Sequence, residues 1–226
     1  MKNLLTKTTF IFLLLAMTVY STYAQLSITN TGTNYLITFD NTLAGVNEGQ
    51  FIGTGFTPVP VSGQLNSNAW ATNGMSDGNG AFGGSYTSGD FAKGLSSGNI
   101  TSGGFYAFEV LFGNNALGIQ PTSSDWTPGD IILKLQNNTG SIITDIAISY
   151  KIWVNNDADR ANSFNFAHSS DNVSYLGVAA LDYTSTELAD PSPVWISTTM
   201  TTTISGLGIA NGDFYYLKWT GNDVSG

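Results

Sequence analysis

The chain has 226 residues, no cysteine, and 7 basic against 16 acidic residues. The missing cysteines exclude disulfides, thiolate zinc sites and a thiol nucleophile. So few Lys and Arg exclude the clustered basic surface that neutralises nucleic-acid phosphates. Only 10% of residues are charged, and Gly, Ser, Thr and Asn take their place. That composition suits strands and turns rather than amphipathic helices, whose wet faces carry Glu, Lys and Arg.

Taken in order, the first 24 residues read as an export signal. Lys2 and Lys7 flank the apolar run Phe10–Val19, and Thr22-Tyr23-Ala24 places a small residue at the expected cut before Gln25. The run is shorter than the ~20 residues that span a bilayer. From Gln25 onward the net charge is 5 − 16 = −11, and residues 25–226 are expected to form one secreted or cell-surface β-sandwich domain with no membrane span. Leu26–Ile28 and Tyr35–Phe39 predict a first hairpin or bent strand. Phe51–Val61, with Gly53, Gly55, Pro58 and Pro60, predicts irregular or edge structure. Gln64–Gly104 is glycine-rich, but Trp70, Phe82, Tyr86, Phe91 and Leu95 recur through it as anchors, so it reads as ordered loops and short strands.

Gly104–Gly113 alternates apolar residues on both faces and predicts a central strand covered on both sides. Pro121–Asp130 reads as a surface loop. From Asp130 to Val178 apolar residues recur at every second position over Ile131–Leu135, Asp145–Val154 and Ser163–His168, with polar turns between. That pattern predicts an antiparallel meander in the middle of one sheet. Val194–Ile196, Met200–Ile204 and Phe214–Trp219 are the expected closing strands. Strands at this spacing without intervening helices predict a sandwich or barrel.

Phe166–Tyr175 resembles the S-x-D-G/N-x-x-[ST]-[WY] hairpin of extracellular jelly rolls, and Phe214–Gly226 resembles their penultimate strand and turn. ITFDNTLAGVNEGQF and the Trp70–Gly84 region are similar to the galactose-binding or concanavalin-like jelly-roll modules of secreted Bacteroidetes surface proteins. The resemblance implies an all-β, antiparallel jelly-roll sandwich, an extracellular setting and further domains of the same polypeptide. It implies a last strand beyond Gly226, so the sequence reads as a fragment. It also implies one structural calcium near the first and last strands, with Asp40 as a ligand.

Gly74-Met75-Ser76-Asp77-Gly78 matches G-x-S-x-G, but no strand-to-helix elbow is predicted around it. His168 shares strand parity with Phe164 and Phe166 and reads as a hydrogen-bonded core or rim residue. Glu109 is a carboxylate on a strand with no partner of the kind a glycosidase needs. Asp157 and Asp159 in Asn155-Asn156-Asp157-Ala158-Asp159 place oxygen ligands at alternate positions, as a calcium loop does, but lack the glycine and distal Glu of an EF-hand. Trp153, on the more polar face of its strand, and Trp126, in a loop, are the candidate platforms for stacking a sugar. These features predict a non-catalytic binding or adhesion module for a glycan or surface polymer, with Asp40, Asp157 and Asp159 as candidate calcium ligands. A structural spacer in a larger surface protein and a polysaccharide hydrolase or lyase are the alternatives.

Overall fold

The computed structural model describes residues 25–225; the segment read as an export signal lies outside the described residues. The early chain forms short strands: β1 (Leu26–Ile28), β2 (Asn47–Glu48), β3 (Phe56–Thr57), β4 (Gln64–Asn66), β5 (Trp70–Met75), β6 (Gly78–Gly80) and β7 (Leu95–Ser96). Longer strands follow: β8 (Gly104–Leu111), β9 (Asn114–Gln120), β10 (Gly129–Asn137), β11 (Ile143–Val154) and β12 (Ala161–Ser169). After β13 (Leu176–Gly177) and β14 (Tyr183–Thr184), the chain closes with β15 (Ile196–Ile209) and β16 (Phe214–Ser225). No helix among the described residues is long and apolar enough to cross a membrane.

The fold is an all-β sandwich with predominantly antiparallel pairing. One layer is an eight-stranded sheet ordered β13-β12-β16-β10-β5-β6, with β1 parallel to β10 and β14 beside β12. Facing it, β11 and β15 form a long two-stranded ribbon, and β7-β8-β9 and β2-β4-β3 make two small sheets. One hydrophobic core joins the layers: Ile131, Leu133, Leu135, Phe166, Tyr215 and Leu217 from the large sheet meet Ile143, Ile148, Ile204 and Ile209 from the ribbon. Tyr150 of the ribbon reaches across to Trp219 and Phe166, with ring centroids 5.6 and 6.3 Å away. Phe51, Phe56, Phe105 and Phe166 are fully buried, each contributing roughly 1.5–3 kcal/mol through burial.

The meander expectation is corrected. β10, β11 and β12 alternate their apolar residues as expected, but none pairs with the next. β10 and β12 both flank β16, while β11 pairs with β15 in the opposite layer. Asn137 supplies the reason. Its fully buried side chain donates to Ser141 O (2.7 Å) and Ile209 O (2.8 Å), which ties the turn after β10 to the end of β15. The chain therefore crosses between layers instead of doubling back.

Other expectations divide similarly. β8 is the centre of its small sheet and is buried on both faces from Phe105 to Phe108. Tyr35–Phe39 forms no ladder; the Tyr35 hydroxyl instead accepts from the amides of Thr29 (2.7 Å) and Asn30 (2.9 Å), closing the turn with a side chain. In the glycine-rich region Trp70 and Phe91 are buried anchors, whereas Leu95 is exposed. The last two expected segments before β16 merge into the single strand β15, which carries a bulge opposite Thr144 where Gly206 adopts φ 77°. A left-handed residue there costs glycine nothing, and it returns Leu207 and Ile209 to the core side.

Candidate functional site

Three features that the sequence offers and does not support as chemistry are structural once placed. Ser76-Asp77 is the two-residue turn between β5 and β6, so G-x-S-x-G is a hairpin and not a nucleophile elbow. Ser76 Oγ donates to Asp90 Oδ2 (2.7 Å) and its amide to Asp125 Oδ1 (2.8 Å). The register runs His168–Leu217–Leu133–Trp70 across the sheet. His168 thus lies about 14 Å from Trp70, and Ser76 a further ~20 Å along β5, too far for a triad. His168 is 7% exposed and its Nδ1 lies 2.5 Å from the Tyr215 hydroxyl. Burial holds its pKa below the usual histidine value. Glu109 is exposed, accepts from the Gly113 amide (2.9 Å) and makes no ion pair among the described residues.

Trp126 is corrected outright. It is 3% exposed and packs edge-on to Phe105 with centroids 5.7 Å apart. Its indole lies against Gly129 and Gly221, where any side chain would collide with it. Asp125 docks the same loop, accepting from Ser76 and from Thr122 Oγ1 (2.8 Å). The Pro121–Asp130 loop is therefore an inserted anchor, and no sugar face can reach this tryptophan. Trp153 is half-buried and packs on the small cluster of Tyr106, Phe108 and Val110, with Lys151 Nζ 5.8 Å from its ring centroid. One face of it serves packing.

The candidate metal ligands are not brought together: among the described residues no three His, Asp or Glu converge. Asp40 accepts from the Asn115 amide (2.8 Å) and Gln50 (3.4 Å). Asp159 accepts from the Ala189 amide (2.9 Å), while Asn156 donates to Thr186 O and Leu188 O, both at 2.9 Å. These contacts staple two loops. Asp157 is exposed, and Asn155 Oδ1 is buried without a partner.

The side chains that do converge lie on the outer face of the eight-stranded sheet. Strand alternation sends Tyr215, Leu217 and Trp219 inward, so Phe214, Tyr216, Lys218 and Thr220 point outward. On β10 the same rule sends Ile131, Leu133 and Leu135 inward and Asp130, Ile132 and Lys134 outward. The register sets Lys134 opposite Tyr216 and Ile132 opposite Lys218. Phe82, from the loop after β6, lies over them, its ring centroid 6.0 Å from that of Tyr216. Lys134 Nζ sits 4.8 Å from the Phe82 centroid and 5.2 Å from that of Phe214. Lys218 Nζ sits 4.2 Å from the Tyr175 centroid and 3.7 Å from Asp130 Oδ1. Such cation–aromatic contacts contribute about 0.5–2 kcal/mol each and hold both partners in place. Asn73 and Thr220 fix Asp130 by donating to its carboxylate.

At one end this strip opens into a groove of about 790 Å³, lined by Ser170, Asp171, Asp213, Phe214, Tyr215 and Tyr216. Gly206, Gly208 and Gly212 form its other wall, and a side chain at any of them would stand in open space. The resemblance motif builds the near rim. Asp171 Oδ1 accepts from the amides of Val173 and Ser174 (2.8 Å each) and from Ser169 Oγ (2.8 Å). Those donors, led by the Ser174 amide, hold its carboxyl down to about 2, so it is ionised at any physiological pH. The turn also presents Tyr175 to Lys218, and burial raises the Tyr175 hydroxyl above its usual range. The groove thus combines aromatic faces, the fixed carboxylate of Asp171, the exposed carboxylate of Asp213 and open space. Comparison of the chain with protein-family models, with curated proteins and with solved structures gives no match.

Proposed function

We propose that this is an exported, non-catalytic β-sandwich module that binds a glycan along the outer face of its large sheet. The observation that carries the reading is the convergence of Phe214, Tyr216 and Phe82 beside the groove bounded by Asp171 and Asp213. Sugar rings present apolar C–H faces to aromatic rings, and fixed carboxylates accept from the hydroxyls around their edges. A pocket with aromatic lining and a few oriented polar groups is the ordinary form of a small-molecule site. The jelly-roll character, extracellular setting and additional domains belong to the same proposal. Structural calcium at the Asn155–Asp159 loop belongs to the same proposal, with the exposed Asp157 as its candidate ligand.

Binding to a glycan array, repeated with Tyr216→Ala and Phe214→Ala, tests the reading. Selective binding by the parent that both variants lose supports it. Selective binding that both variants retain places the ligand elsewhere, and no binding by a folded parent overturns the glycan assignment.

A further inference from the structure

From Gln25 onward the chain has five basic residues: Lys93, Lys134, Lys151, Arg160 and Lys218. Two of them, Lys134 and Lys218, stand in the aromatic strip on the outer face of the large sheet. Their surroundings differ. Lys218 has Asp130 within 3.7 Å, whereas Lys134 has no carboxylate within ion-pair distance among the described residues. Its backbone amide is used, donating to Ala69 O (2.8 Å), but among the described residues its ammonium is met only by the faces of Phe82 and Phe214. Ring faces attract the charge, yet they do not use three N–H donors as oxygen acceptors would. Lys134 is half-buried, and its ammonium stands between the two rings and beside Tyr216.

Resting on the glycan reading of this same strip, we propose that its ligand is an acidic polysaccharide, with a carboxylate or sulfate of the sugar ring pairing with Lys134. A ring stacked on Phe214 or Tyr216 brings its substituents beside that ammonium, and an anionic oxygen makes the charge-assisted bond that the protein leaves unmade. Burial of the side chain lowers the Lys134 pKa. The chain's acidity does not oppose the contact, because charges beyond about 8–10 Å are screened at physiological salt while the contact itself is short-range. The carboxylates of the site, Asp171 and Asp213, line the groove, and Asp130 is engaged by Lys218, Asn73 and Thr220. They select against anionic groups in the groove itself and so orient the acidic substituent toward Lys134.

Affinity electrophoresis of the protein in polygalacturonate and in its fully methyl-esterified form tests this, because the two share a backbone and differ in charge. Alginate and a sulfated galactan extend the test to other acidic sugars. The expected result is retardation by acidic polymers, weakened about tenfold or more by Lys134→Met, which keeps the apolar stem and removes the charge. Tyr216→Ala removes the retardation altogether. Equal retardation by the neutral ester, or retardation unchanged in Lys134→Met, overturns the acidic assignment and leaves the glycan reading standing. Retardation by neutral polymers alone does the same. No retardation by any polymer, with a folded protein, overturns both.

Discussion

The two outer faces of the sandwich follow the same strand alternation and carry different chemistry. On the ribbon, β15 turns Ser197, Thr199, Thr201, Thr203 and Ser205 to solvent, opposite Trp153, Lys151, Ser149, Ala147 and Asp145 of β11. These are β-branched or small hydroxyl residues that favour a pleated, wet surface, and apart from Trp153 they present little to grip a ligand. On the large sheet, the equivalent outward positions hold Phe214, Tyr216, Lys218, Lys134 and Asp130. Aromatic rings at outward strand positions lose burial that the core offers, so they do not serve stability in the way Leu133 or Leu217 does. On the proposed reading, that difference puts recognition on the large sheet and solubility on the ribbon.

That assignment can be broken in several ways. The largest expected effect belongs to a residue removed from the binding surface: Trp126→Ala should destabilise the fold by about 3–5 kcal/mol in urea unfolding, as large core truncations do. A cost under about 1 kcal/mol would mean the indole is not the buried wedge described above. Next comes Tyr216→Ala, which should weaken glycan binding at least about tenfold while leaving the unfolding midpoint nearly unchanged. A loss of binding that tracks a loss of fold would instead make Tyr216 a packing residue.

His168 sharpens the account of what underlies the groove. Burial depresses its folded-state pKa below the unfolded value of 6.5, so the unfolded chain takes up the proton first as pH falls. Stability should be fully present above about pH 6.5 and decline as pH drops toward the folded pKa. Denaturation midpoints from pH 8 to 5 should slope in the parent and flatten in His168→Gln; parallel slopes would assign the dependence to another group. Smaller still, Thr201→Val on the ribbon face should shift stability by no more than about 0.5 kcal/mol and leave binding unchanged. Added calcium should raise the melting temperature by a few degrees in the parent and not in Asp157→Asn, by mass action on the folded state. Equal melting with calcium and with chelator removes that loop as a calcium site.

How far each feature was legible depends on whether it is local. The inward and outward sides of β10 follow from alternation alone, and Ile131, Leu133 and Leu135 could be assigned to the core from the chain. Partner choice could not, because period two names a face and not a neighbour. The crossing after β10 hinges on Asn137 reaching Ile209, a contact between residues remote in sequence. Trp126 read as an exposed loop residue because its polar neighbours are local, whereas the glycine that makes room for it, Gly221, lies on a distant strand. The aromatic strip left a partial trace: Phe214, Tyr216 and Lys218 share one parity, as do Asp130, Ile132 and Lys134. Only the β10–β16 register places the two sets side by side.

Hydrogen–deuterium exchange in the presence and absence of a retarding polysaccharide tests the central claim most directly, since it reports which face is covered without mutating it. The expected result is slowed exchange in the Ser169–Tyr175 turn, the Gly206–Gly212 wall and the first half of β16, with the middle of β11 and β15 unchanged. Slowed exchange across the middle of β11 and β15, with the turn and the groove unaffected, would contradict it.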